Sequence, residues 1–155
     1  MSKPIRYSWD TSVFIAWMAE EQDKPLADIQ VVVEEINTGK AVLIVPVTVY
    51  TEILRTKYTQ EQLDKFDGFL KRSNVIKVDT TFPIAQKASR IRAMAEAENR
   101  RIKTPDATII ATAILYKAEV LHSFDPHQLN LDQSNIVDGL RISPPISVGG
   151  QHGLL

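Results

Sequence analysis

Short runs rich in β-branched and aromatic residues alternate along this chain with longer segments whose apolar residues recur every three or four positions. Few folds accommodate that order. Ile5–Trp9 alternates apolar and polar residues, and Ala41–Val45 is apolar throughout, as a strand covered on both faces should be. Val75–Val78 and Val120–Phe124 read as two further strands, and 135–137 or 140–142 supplies an edge strand. Helices are expected over 11–18, from Pro25 to a terminating Gly39, over 48–57 and 60–71, and from about Pro83 to Asn99. The last of these carries Ile84, Ala88, Ile91, Met94 and Ala95 on its apolar stripe. A final long helix starts at Thr104-Pro105-Asp106, with Thr104 as N-cap and Pro105 in the first helical position. Strands alternating with helices throughout imply a three-layer α/β/α sandwich with a mainly parallel sheet.

With 155 residues, 44% of them hydrophobic, the chain can bury one real core. That domain is assigned to residues 1–143, and 144–155, which open on Pro144-Pro145, are expected to form a loosely ordered tail. The absence of cysteine removes disulfides, zinc–thiolate centres and thiol nucleophiles together. There is no run of 18 apolar residues and no signal-peptide pattern at the N-terminus, so a cytoplasmic protein that does not engage a membrane is expected. A net charge of −1 argues against a broad electrostatic footprint for nucleic acid. Any such contact has to be local.

Four acids share one architectural role. Asp10 follows the first strand, Glu52 follows the second, Asp106 opens a late helix, and Asp125 follows the strand after it. Singly, each is also what a helix start favours: Asp10 as an N-cap, Asp106 in a first turn, and Asp125-Pro126-His127-Gln128 as something close to a capping box. Together they converge, because the strand-to-helix turns of a parallel sheet lie on one edge. Crowded carboxylates must stay partly protonated or hold cations. Without His or Cys ligands, such a cluster selects hard ions such as Mg²⁺ or Mn²⁺, which suit phosphodiester hydrolysis. His122 and His127, on either side of Asp125, read as a strand residue and a capping-turn residue. Trp9, Phe14 and Trp17 read as core.

The segments WDTSVFIAW, VPVTVYTEIL, KTPDATIIATAIL and VLHSFDPHQL, within about residues 5–130, resemble the PIN-domain family of metal-dependent ribonucleases, particularly the VapC-type toxins of toxin–antitoxin pairs. The resemblance implies a PIN-like fold in which Asp10, Glu52, Asp106 and Asp125 form a catalytic site for one or two Mg²⁺ or Mn²⁺ ions. Thr11 or Ser12, and Ser123, match hydroxyls that orient such a site, although Ser123 stands where threonine is commoner. It further implies an RNA substrate, an antitoxin partner and a homodimer. Arg55, Lys57, Arg100, Arg101 and Lys103 are then candidate contacts to RNA phosphates, or else the solvated ends of helices. The alternative is a PIN-like module without catalysis that binds RNA or protein. A phosphoryl-accepting signalling domain also gathers acids at strand ends, but no lysine ends a late strand here as that chemistry requires.

Overall fold

A computed structural model describes residues 3–148. Its centre is a five-stranded, wholly parallel sheet with β1 Ile5–Trp9, β2 Ala41–Pro46, β3 Val75–Val78, β4 Val120–His122 and β5 Arg141–Ser143, in the order β3-β2-β1-β4-β5. The helices are α1 Thr11–Ala19, α2 Leu26–Asn37, α3 Val47–Glu52, α4 Gln60–Leu70, α5 Phe82–Ala97, α6 Thr104–Leu115 and the single turn α7 Pro126–Leu129. α1 packs on α2 and α4, while α6 packs on α3 and α5, and both groups contact the sheet. The expected α/β/α fold is thus observed. No helix among the described residues is long and apolar enough to cross a membrane.

The chain lays β1, β2 and β3 outward in sequence, then crosses back to place β4 on the other side of β1. Loops leaving β1 and β4 therefore diverge and open a crevice at the carboxyl edge, the place where such sheets bind ligands. Beneath that edge lies an aromatic cluster. Trp9 stacks on Phe69 at 6.0 Å and meets Phe14 edge-on at 5.0 Å, and Phe14 meets Phe66 edge-on at 5.7 Å. On the opposite face α6 is buried nearly all round from Ala107 to Ala113. Thr108 and Thr112 satisfy their hydroxyls by donating to the carbonyls of Thr104 and Thr108.

Several local expectations are corrected. The helix expected over 48–57 ends at Glu52, because Ile53 turns extended to bury its side chain, and only a 3₁₀ turn over Arg55–Lys57 follows. Leu54 is consequently 55% exposed. Lys103, not Thr104, is the N-cap of α6, since its carbonyl accepts the first helical bond from Ala107. The fourth strand stops at His122 rather than Phe124: Ser123 N–H still donates to the Ser143 carbonyl, but the amides after it are diverted to side chains, Phe124 N–H to Ser12 Oγ and Asp125 N–H to Ser123 Oγ. Met94 is 41% exposed and lies off the buried stripe of α5. The edge strand is Arg141–Ser143, close to the second of its two candidate positions, and 135–137 forms a 3₁₀ turn. In the stretch expected to be a loose tail, Pro145, Ser147 and Val148 are buried, and Val148 N–H donates to Tyr7 Oη at 2.9 Å. Residues 149–155 of that tail lie outside the described residues.

Candidate active site

Asp10 caps α1, accepting from Val13 N–H, and is only 2% exposed. A buried carboxylate is costly unless hydrogen-bonded. Here Ser12 Oγ donates to one carboxylate oxygen and Ser123 Oγ to the other. The Ser123 contact joins residues 113 positions apart. Both hydroxyls in turn accept backbone N–H groups of the loop leaving β4, Phe124 at 3.0 Å and Asp125 at 2.9 Å. Burial still raises the Asp10 pKa, against the lowering by these donors, and the charge of Asp125 raises it further. On the neighbouring helix end, Glu52 accepts from Thr11 Oγ1 at 2.5 Å, which ties α3 to α1.

Asp106 lies in the first turn of α6. Its pKa is pushed up to about 6, first by burial and then by the negative charges of Asp125, Glu52 and Asp10, with Lys103 opposing. The other three acids thus all stand near enough to Asp106 for their charges to act on it. Thr11, Ser12 and Ser123 stand among them. Gln128 also belongs here, although its place after Asp125-Pro126 reads as a capping position. Asp125 does cap α7 through His127 N–H, but Gln128 does not close the box. Its Nε2 donates instead to Asp106 Oδ1 at 3.3 Å, while its buried Oε1 has no partner among the described residues.

His122 is a buried strand residue whose pKa burial pushes down to about 3, so it stays neutral, and His127 is an exposed capping-turn residue. Arg55 is already engaged. Its guanidinium grips Asp67 through two bonds of 3.1 and 2.8 Å and lies over the Tyr50 ring, so it is set aside as a phosphate contact. Lys57, Arg100, Arg101 and Lys103 are exposed. Among the described residues, no three Asp, Glu or His side chains stand close enough to enclose a metal ion as they are placed. The donor chemistry nonetheless suits a hard cation: carboxylate oxygens whose mutual repulsion a positive ion would relieve.

The sequence pattern of the PIN domain matches residues 7–133. The chain belongs to the PIN domain family. Domains of this family are in general nucleases. Solved structures share the fold at low sequence identity. VapBC2 from Rickettsia felis bound to a promoter DNA fragment is similar with a TM-score of 0.65 and 15% identity, over 89% of this chain and 97% of that one. DNA-bound VapBC from Salmonella typhimurium gives 0.62 and 17%, over 89% and 96%. VapC20 from Mycobacterium tuberculosis, a toxin that cleaves the sarcin-ricin loop, gives 0.56 and 17%, over 77% and 90%. Comparison with curated proteins gives no match.

Ser123→Ala checks the architecture of this PIN site. It removes a donor to the buried Asp10 carboxylate and the acceptor of the Asp125 amide. A loss of about 1–3 kcal/mol is expected at neutral pH, the scale for a bond to a charged group. Urea unfolding should show a lower midpoint with an unchanged slope.

Proposed function

We propose that this chain is a divalent-metal-dependent endoribonuclease and the toxin of a toxin–antitoxin pair. The observation that carries the reading is that the charges of Asp10, Glu52 and Asp125 all act on the half-buried Asp106, beside the edge where β1 and β4 diverge. Asp10, Glu52, Asp106 and Asp125 would hold Mg²⁺ or Mn²⁺. Such an ion, when bound, activates water and offsets charge developing on the phosphodiester. The chain's own part is positional. Ser12 and Ser123 fix both oxygens of Asp10, Thr11 orients Glu52, and Gln128 holds one oxygen of Asp106. Lys103, Arg100, Arg101 and Lys57 supply positive charge for the RNA backbone.

The structural relatives solved as VapBC complexes support an antitoxin partner, and a homodimer and a cytoplasmic setting belong to the same proposal. A cationic segment of that partner would offset the acids as a metal does. The test is cleavage of a mixed RNA by wild type and Asp10→Asn in Mg²⁺ or Mn²⁺. Wild-type cleavage is expected to fall by about 10²–10³-fold in the variant, the scale on which loss of one preorganised electrostatic partner slows hydrolysis. Equal rates would remove Asp10 from the chemistry.

A further inference from the structure

The loop between α5 and α6 holds a second charged feature, of opposite sign to the acid cluster. Arg92 from α5, with Arg100 and Arg101 from the loop, lines a cleft of about 430 Å³ that also includes Glu96, Asn99 and Ile102. Arg92 Nε donates to the Ile102 carbonyl at 3.2 Å and fastens the loop to α5. Arg100 Nη1 donates to the carbonyl of Asn130 at 3.4 Å, at the C-terminal end of α7. Among the described residues none of the three guanidinium groups is in an ion pair, although Glu96 shares the cleft. Three cations against the one carboxylate of Glu96 leave an excess of positive charge that invites an anion, and the planar fork of arginine matches phosphate oxygens.

Two relations tie this cleft to the acids. Ile102 precedes Asp106 by four residues, at most about 15 Å of extended chain. Arg100 reaches α7, whose N-cap is Asp125. A strand cut at the carboxylates carries a phosphate at every nucleotide, so its neighbouring phosphates must lie within that reach. Four acids repel them, and a chain of net charge −1 has no general attraction to offset that repulsion.

We propose that the Arg92–Arg100–Arg101 cleft is a phosphate subsite for the RNA strand, receiving backbone phosphates a few nucleotides from the bond that is cut. This rests on the nuclease reading above. It adds Arg92, which stands apart from the basic run of the loop, and a dependence on length: an RNA too short to reach the cleft forgoes its contacts.

The test uses a labelled single-stranded oligoribonucleotide and fluorescence anisotropy in the Asp10→Asn background, so that the strand stays whole. Replacing all three arginines by glutamine (R92Q, R100Q, R101Q) is expected to weaken binding about tenfold at low salt. The slope of log K against log salt should become shallower by about 2, since each lost single-strand phosphate contact removes about 0.7. The matching lysine variant (R92K, R100K, R101K) should keep the slope, which a misfolded loop would not. With Asp10 restored, the preference in kcat/KM for a long strand over a dinucleotide should fall about tenfold in the glutamine variant. A glutamine variant that binds and cuts long strands as wild type does overturns the subsite and leaves the nuclease standing. Wild type that cuts nothing, with the slope still shallower in the glutamine variant, overturns the nuclease and supports the cleft as an RNA site. If the glutamine variant loses a poly-glutamate peptide and keeps RNA, the cleft belongs to an acidic protein partner and the proposal falls.

Discussion

Asp106→Asn is expected to slow RNA cleavage by about 10²–10³-fold and, in the same molecule, to make the metal-free fold more stable at neutral pH. The two effects have one cause. Burial and three neighbouring acids raise the Asp106 pKa to about 6 from its ordinary value of 3.8. Between those values the folded state binds a proton that the unfolded chain releases, so this group's contribution falls as pH rises through the window and stays unfavourable above it. A shift of that size corresponds to about 3 kcal/mol. Asp106 is only half removed from water, so about 1–2 kcal/mol remains after screening. The asparagine cannot ionise and escapes that cost. Thermal unfolding at pH 4 and at pH 7 reads the difference: wild type should lose more stability over the interval than the variant. Added Mn²⁺ should raise the wild-type midpoint at pH 7 through preferential binding to the folded state, and raise that of the variant far less. A variant no more stable than wild type at pH 7 would show that Asp106 carries no electrostatic strain.

The second large effect is on stability. Trp9 is fully buried at the end of β1, against Phe14 and Trp17 of α1 and Phe69 of α4. Trp9→Ala leaves a void shared by three elements, with an expected cost of about 3–5 kcal/mol. Much of a small domain's total stability lies in that range. Because Asp10 is the next residue, the same substitution loosens the entry to α1, and metal binding should weaken along with the fold. Urea unfolding and Mn²⁺ titration of the folded fraction check the two parts. A loss below about 1 kcal/mol would mean that the aromatic cluster repacks around the gap.

Sequence pattern exposes what depends on period and on acid placement. The strands, the parallel order they imply, the cap at Asp10 and the placing of Asp10, Glu52 and Asp125 follow from residues a few positions apart and from the rule that strand-to-helix turns share an edge, whereas Asp106 opens a helix that follows another helix and is placed by the packing of α6. What stays hidden depends on partners far along the chain. Ser123 reads as a hydroxyl near an acid, but that its acid is Asp10 is a property of β4 pairing with β1. Gln128 looks local to α7 and is committed to Asp106 on α6. Arg55 looks free and is held by Asp67. The end of α3 is misread for the same reason: Ile53 continues a helical spacing, yet burying it requires the backbone to leave the helix.

The position of β1 in the sheet sets the time at which the acid cluster can be complete. Of the five strands of this sheet the middle one is synthesised first, and it waits for β4, more than a hundred residues later, to supply its second neighbour along with Ser123 and Asp125. At translation speeds of about 5–20 residues per second, that delay lasts several seconds, during which Asp10 and Glu52 are present without the groups that complete their cluster. Until synthesis has passed β4, the Asp10 carboxylate lacks the Ser123 hydroxyl that binds it in the folded domain.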